Sequence, residues 1–262
     1  MVDVGRHPRA ADRPRGGVTG SATRPAEVVL ITGAAGGIGR AVVARLRERG
    51  LTVVATDAAL ADLPCAGPVT AFPLDVTDEP AVQAAVARVV SDFGRLDHVV
   101  HLAGRAGRGP IDVVDRAEWD SLLTVNLGSA AALARIVHPH LAATRGSLTL
   151  TASTNAFNGG SALSGPAYAV AKAGLVNLMR YLAREWAPQG IRVNCLAPGP
   201  IDTPMVSGRF TPEVLAQLRA AVPLGRLGEP RHVAHAVDYL LHPDAAFVTG
   251  TVMNVSGGLV LD

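Results

Sequence analysis

The stretch "VVLITGAAGGIGRAVVARLRERG", residues 28–50, decides the fold. It opens on "VVLIT", an apolar β-branched run without alternation, the pattern of a strand buried on both faces. A glycine-rich turn breaks the run. An amphipathic stretch over 38–49 then reads as a helix and stops at Gly50. Strand, glycine turn and helix form the first half of a βαβ unit.

The alternation continues to the end of the chain. Strands are predicted at "LTVVATD" (51–57), "VTAFPLDV" (69–76), "LDHVVHLAG" (96–104), "GSLTLTAS" (146–153), "IRVNCLAPG" (191–199) and "TGTVMNVSGG" (249–258). Helices are predicted around 79–93, 117–143 and 166–186. Strands apolar on both faces require a parallel sheet covered by helices on each side. The expectation is one doubly wound, Rossmann-type α/β domain over residues 27–262, with a seven-stranded parallel sheet and its ligands at the carboxyl ends of the strands. Residues 1–26, rich in Arg, Pro and Gly without periodicity, read as a disordered tail.

Bulk properties exclude several function classes. Of 262 residues 48% are hydrophobic and 18% charged, and the formal net charge is only +2. The five arginines of the tail carry much of the positive charge, so the body shows no footprint for nucleic acid. No apolar run approaches the length of a membrane span, and no secretory signal is evident. Cys65 and Cys195 form no C-x-x-C pair, so neither a disulfide framework nor a zinc site is expected, and a reducing cytoplasm is the natural setting. His138 with His140, and His232 with His235, lack a third ligand and read as solvated helix ends.

Two local patterns carry chemistry. In "ITGAAGGIGRAVV" (31–43), Gly33, Gly37 and Gly39 allow tight turning and close backbone approach, and the helix start around Ile38 offers N–H groups to a pyrophosphate. Asp57 follows 18 residues after Gly39, at the end of the second strand. A carboxylate there accepts from the adenosine ribose hydroxyls and repels a 2′-phosphate. No basic residue lies within 33–39 or at 58–60, so NAD is expected over NADP.

The second pattern is "YAVAK" (168–172), whose last residue is the chain's single lysine. Tyr168 and Lys172 share one helical face. An ordinary tyrosine has a pKa of about 10, too high for a good base near neutrality. An ammonium about 4 Å from the phenol oxygen gives about 4 kcal/mol at an effective dielectric of 20, enough to lower that pKa by up to roughly 3 units.

The spacing T-G-x-x-x-G-x-G (Thr32, Gly33, Gly37, Gly39) together with "YAVAK" resembles the short-chain dehydrogenase/reductase family. The resemblance runs over roughly residues 27–262 and includes "LDVTD" (74–78), "HLAG" (101–104), "APGPIDTPM" (197–205) and "NVSGG" (254–258). It implies a catalytic tetrad of Asn126, Ser153, Tyr168 and Lys172. It implies adenine contacts from Asp75 and Val76 and ribose contacts from Ala103 and Gly104. Pro198, Gly199, Ile201 and Thr203 would hold the nicotinamide side, and Lys172 the nicotinamide ribose. Asn126 would hold a water that links Lys172 to solvent. A homotetramer is also implied. Two departures stand out. His101 and Leu102 replace a usual asparagine pair, and Ser153 lies 15 residues before Tyr168 where 13 is usual. Asn155 stands at the usual spacing, and Ser161 and Ser164 are nearer. Ser153 is preferred because it ends a strand and carries the hydroxyl.

The resulting expectation is an NAD-dependent oxidoreductase acting on a small-molecule secondary alcohol or its ketone, with Tyr168 as general acid/base. The alternatives are an NADPH-dependent ketoreductase and a non-catalytic NAD-binding regulator on the same fold. The segment 205–230 should lie over the site, with Met205, Val206 and Phe210 as apolar lining. Arg105 and Arg108 are available to an anion but read better as solvated loop residues. Phe157 and Asn158 are candidates for substrate contact.

Overall fold

A computed structural model describes residues 26–60 and 69–261. The proposed tail, apart from Ala26, and Cys65 lie outside the described residues. The strands are β1 (Val28–Thr32), β2 (Thr52–Asp57), β3 (Val69–Pro73), β4 (His98–His101), β5 (Ser147–Thr151), β6 (Arg192–Pro198) and β7 (Val252–Val255). They form one parallel sheet in the order β3-β2-β1-β4-β5-β6-β7. The order reverses between β1 and β4, and the crevice beyond those two strand ends is where such sheets bind ligands.

The helices are α1 (Gly37–Glu48), α2 (Glu79–Phe93), α3 (Arg116–Leu123), α4 (Ser129–Thr144), the short α5 (Asn155–Asn158), α6 (Pro166–Trp186), α7 (Pro212–Ala221) and α8 (Pro230–Leu241). Their ends follow local chemistry. The Asp78 side chain caps α2 by accepting from Ala81 N at 3.1 Å, and Gly94 ends it in the left-handed conformation. Glu229 and His232 form a reciprocal cap at the start of α8. Two apolar layers result. One side of the sheet is covered by α2, α4 and α6 through residues such as Val86, Val137 and Met179. The other is covered by α1 and α8 through Val42, Leu46, Val233 and Val237.

The helix expected over 117–143 is divided. Between α3 and α4 the chain makes a single π-helical turn, Thr124–Gly128. The Asn126 amide donates to Leu122 O at 3.0 Å, and Ser129 Oγ donates to Val125 O at 2.7 Å. These side chains occupy carbonyls and wedge the turn open, a distortion that π turns often make at functional positions. Asn126 is fully buried there.

Candidate active site

Ser153, Tyr168 and Lys172 line one cleft at the carboxyl edge of the sheet, and Asn126 is buried behind Lys172, on the other side of Gly104. Ser153 stands two residues beyond β5, where Ala152 N and Thr154 N still donate to Leu196 O and Pro198 O of β6 at 2.8 and 3.1 Å. Its backbone is therefore as fixed as the sheet. Tyr168 and Lys172 project from the first turns of α6, whose start is set by Gly165 at φ 75° and by Pro166. The Ser153 hydroxyl neighbours the Tyr168 hydroxyl and favours its ionised form. The Asn155 amide instead donates to Ser164 Oγ at 2.7 Å, so these two side chains partner each other, and both line the cleft. The longer spacing from serine to tyrosine is absorbed by α5 and by Gly159 and Gly160, at φ 78° and 73°.

Lys172 is 4% exposed, and its ammonium donates to Thr151 O at 2.7 Å. Gly104 is where Lys172 meets Asn126: a Cβ placed there would lie 3.3 Å from Lys172 Nζ and 2.5 Å from Asn126 Oδ1. That Oδ1 is buried without a hydrogen-bond partner in the protein, while Asn126 Nδ2 donates to Arg105 O and Leu122 O. An unpaired buried acceptor next to an ammonium is a natural seat for a water.

The electrostatics differ from the expectation drawn from helix spacing. Burial pushes the Tyr168 hydroxyl above its ordinary pKa of 10.0, and the neighbouring Ser153 hydroxyl opposes this. Lys172 is pushed down to about 8, again by burial. The ammonium is held by Thr151 O and lies 5.5 Å from the centre of the Tyr168 ring. Loss of water around both groups therefore outweighs their mutual influence in the protein alone.

The glycine turn follows β1 and Asp57 ends β2, both at the carboxyl ends of strands next to the reversal point. Gly33, at φ 71°, passes so close to β4's continuation that a Cβ would lie 2.6 Å from Ala103 N. A Cβ on Gly39 would be 2.2 Å from Gly33 O, and one on Gly37 would be 2.7 Å from Thr203 Cγ2. Only glycine fits these three positions. The start of α1, from Gly37 through Ile38, has no side-chain cap and no acidic residue in its first turn, so its N–H groups face the groove as an anion seat. Asp57 accepts from Ala35 N at 3.0 Å and Ala59 N at 3.1 Å, which ties the carboxylate to the glycine turn. Arg40 Nε donates to Ala35 O of the same turn at 2.9 Å, a neighbouring cation that spacing alone did not single out. Asp75 is occupied by Thr77 N and Oγ1 at 2.9 and 2.7 Å, and Val76 is buried beside it. Pro198, Gly199, Ile201 and Thr203 lie along the opposite wall. The residues present fit a dinucleotide.

His101, which departs from the family pattern, is buried between two hydroxyls. Its Nδ1 lies 2.8 Å from Thr32 Oγ1 and its Nε2 lies 3.3 Å from Ser129 Oγ. Ser129 already gives its one hydrogen to Val125 O, so Nε2 carries the proton and Thr32 donates to Nδ1. Burial, helped by Lys172, lowers the imidazole pKa to about 3. A neutral histidine thus ties the strand before the glycine turn to the π turn that carries Asn126.

Met205, Val206 and Phe210 line the cleft as expected, joined by Leu163 and Leu218. Arg105 is tied to Ser121 Oγ at 2.9 Å, and neither it nor Arg108 lines the cleft; Phe157 and Asn158 also stand outside it. A residue that sequence reasoning passed over, Arg209, does line it. Its position four residues after Met205, within the segment expected to cover the site, was the available signal. Cys195 is buried, and its thiol is pushed up to about 12 by burial. His138 packs on the Trp186 ring at 4.8 Å, and His232 belongs to the α8 cap.

Known proteins resemble this chain in sequence and fold. The family described as "Enoyl-(Acyl carrier protein) reductase" matches residues 33–260, a span that includes the glycine turn, the tetrad positions and the cleft wall. The chain belongs to the short-chain dehydrogenase/reductase family. As a short-chain dehydrogenase/reductase it is an oxidoreductase of the class that uses nicotinamide cofactors. It is 33% identical over 244 residues to the 3-oxoacyl-[acyl-carrier-protein] reductase FabG of Thermotoga maritima, covering 90% of this chain and 98% of that one. It is 37% identical over 239 residues to the cis-4-hydroxycyclohexanecarboxylate dehydrogenase of Sinomonas cyclohexanicum, covering 88% and 95%. The ligand-free aldohexose dehydrogenase of Thermoplasma acidophilum superposes with a TM-score of 0.81 at 28% identity, covering 89% of this chain and 94% of that one. No helix among the described residues of this short-chain dehydrogenase/reductase is long and apolar enough to cross a membrane.

Proposed function

We propose that this protein interconverts a secondary alcohol and its ketone with NAD(H), using Tyr168 to move the proton. The observation that carries this reading is the convergence of Ser153, Tyr168 and Lys172 on one cleft floor, with the unpaired Asn126 Oδ1 behind the lysine. A dinucleotide held by the glycine turn and by Pro198, Gly199, Ile201 and Thr203 would supply or accept the hydride. Negative charge developing on a ketone oxygen needs a proton, and the partly buried, neutral phenol of Tyr168 is poised to give one near neutral pH. Ser153 donates to the same oxygen and fixes its position. The Lys172 ammonium favours the tyrosinate left behind. A water on Asn126 Oδ1 would return the proton from solvent through Lys172. In the oxidising direction the same groups run in reverse, and the Tyr168 proton must leave first.

The preference for NAD(H) rests on Asp57, a carboxylate fixed beside the glycine turn where a 2′-phosphate would meet repulsion. Arg40, held on the same turn, supports the second reading, an NADP(H) enzyme. Turnover of a panel of secondary alcohols and ketones with each dinucleotide, for wild type and Tyr168→Phe, tests the proposal. We expect turnover greater with NAD(H) and lost in the variant. Dinucleotide binding without turnover on any substrate would point to a regulator instead.

A further inference from the structure

The cleft is compact and its walls are mainly apolar, with hydroxyls from Ser161, Ser164 and Thr203 among them. Its volume of about 240 Å³ falls just below the range of about 300–1,000 Å³ usual for sites of drug-sized ligands. Met205, Val206, Phe210, Leu163 and Leu218 make the walls. Two charged side chains reach it, Lys172 at the floor and Arg209 in the segment that covers it, and no aspartate or glutamate lines it.

Arg209, like Arg105 and Arg192, bonds a neutral oxygen. Many of the others pair with carboxylates, as Arg45 and Arg49 do with Asp238 and Arg95 with Asp97. No carboxylate among the described residues lies within ion-pairing distance of Arg209. Its Nη2 donates instead to the neutral carbonyl of Gly107 at 2.5 Å, across the cleft mouth, and its guanidinium lies 5.6 Å from the centre of the Phe210 ring. A guanidinium has five donors in a planar fork, and one bond to Gly107 leaves the rest of the fork for a planar anion. The Gly107 contact and the ring restrict the side chain in advance, so less freedom is lost when an anion arrives.

We propose that Arg209 is a specificity-determining residue and that the substrates are compact hydroxy acids, or the corresponding oxo acids, whose carboxylate pairs with Arg209 while the carbinol carbon reaches the floor. This rests on the proposed alcohol–ketone chemistry. The carboxylate takes no part in bond making, and the hydride and proton move as described above. A carboxylate fits better than a phosphate dianion because a single planar fork faces the cleft.

The test uses two readouts. In the first, short cyclic and acyclic hydroxy and oxo acids are each paired with their uncharged methyl ester, and kcat/KM is compared for wild type, Arg209→Gln and Arg209→Lys. In the second, binding of cyclohexanecarboxylate and of its methyl ester is measured calorimetrically with dinucleotide present. We expect wild type to favour the acid by roughly 10-fold or more, in line with a hydrogen-bonded charge pair. That ratio should fall to near one in Arg209→Gln and recover in part in Arg209→Lys. A merely structural latch to Gly107 would weaken acid and ester alike and leave the ratio unchanged, which overturns the proposal, as would equal binding of acid and ester by wild type. Absence of turnover on both arms, with an Arg209-dependent preference retained in binding, would count against the catalytic reading and leave this one standing.

Discussion

Replacing Lys172 by methionine should make the protein less active and, near neutral pH, relatively more stable than a lost hydrogen bond would suggest. The unfolded chain holds this ammonium at an ordinary pKa of 10.5, whereas burial brings it to about 8 in the fold. Keeping the charge buried therefore costs about 3 kcal/mol at pH 7. Methionine removes that cost but leaves Thr151 O without its donor, a loss of about 1–3 kcal/mol. The two nearly offset, so the pH dependence decides. Between the folded and unfolded pKa values the unfolded state binds the extra proton, and wild-type stability rises with pH. Below about 8 the full cost is present, and above 10.5 it is gone. From pH 7 to pH 9.5 wild type should gain about 2 kcal/mol relative to Lys172→Met. Urea unfolding of both proteins without dinucleotide, at several pH values in that range, gives the difference directly, because every other titrating group is common to both. Parallel stability curves would show that the lysine is not held at a depressed pKa.

Gly104→Ala should keep the fold but lose turnover on the order of 100-fold, since its methyl enters the gap between Lys172 Nζ and Asn126 Oδ1; circular dichroism with steady-state rates checks this. Asp57→Ala should narrow the NAD(H)-over-NADP(H) ratio of binding constants, and Arg40→Ala should widen it; an unchanged ratio in both would remove the carboxylate argument. His101→Gln should resist acid better than wild type. The imidazole sits at about 3 in the fold against 6.5 in the unfolded chain, so wild-type stability is intact above 6.5 and falls by about 3 kcal/mol on reaching pH 4.5. Urea unfolding at pH 7 and 4.5 measures the contrast.

The sheet and the helices α1, α2 and α6 were legible because continuous apolar runs and amphipathic periods are local signals, whereas α7 and α8 were not singled out. Predicted and observed spans agree within a few residues for β1, α2 and α6. The π turn was not legible, because a helix with one wide turn still presents an apolar stripe. Its cause is a set of side-chain bonds to carbonyls from Asn126 and Ser129 that no periodicity encodes. The resemblance pointed to Ser153, Tyr168 and Lys172 as neighbours, and the structure brings them to one cleft, but the electrostatics around them were not legible. Spacing places Lys172 near Tyr168, whereas burial and the Thr151 carbonyl, which set the balance, come from β5 and exist only after folding. The place of His101 was not legible, since its imidazole spans two hydroxyls that lie on elements far apart in sequence. Arg209 was overlooked because its loop is placed over the cleft by a contact to Gly107, 102 residues away.

A chain in which Lys172 is the one lysine carries a single side-chain amine, and that amine lies at the floor of the cleft. With its pKa at about 8, roughly a tenth of it is uncharged at pH 7, several hundredfold more than for an ordinary lysine. Reagents that attack free amines therefore meet one internal target, and they must enter through the space a substrate would use. Reductive methylation with isotopically labelled formaldehyde would place one reporter there, apart from the chain's terminal amine. Its resonance would follow protonation, cofactor and substrate in turn, from inside the site and without a mutation.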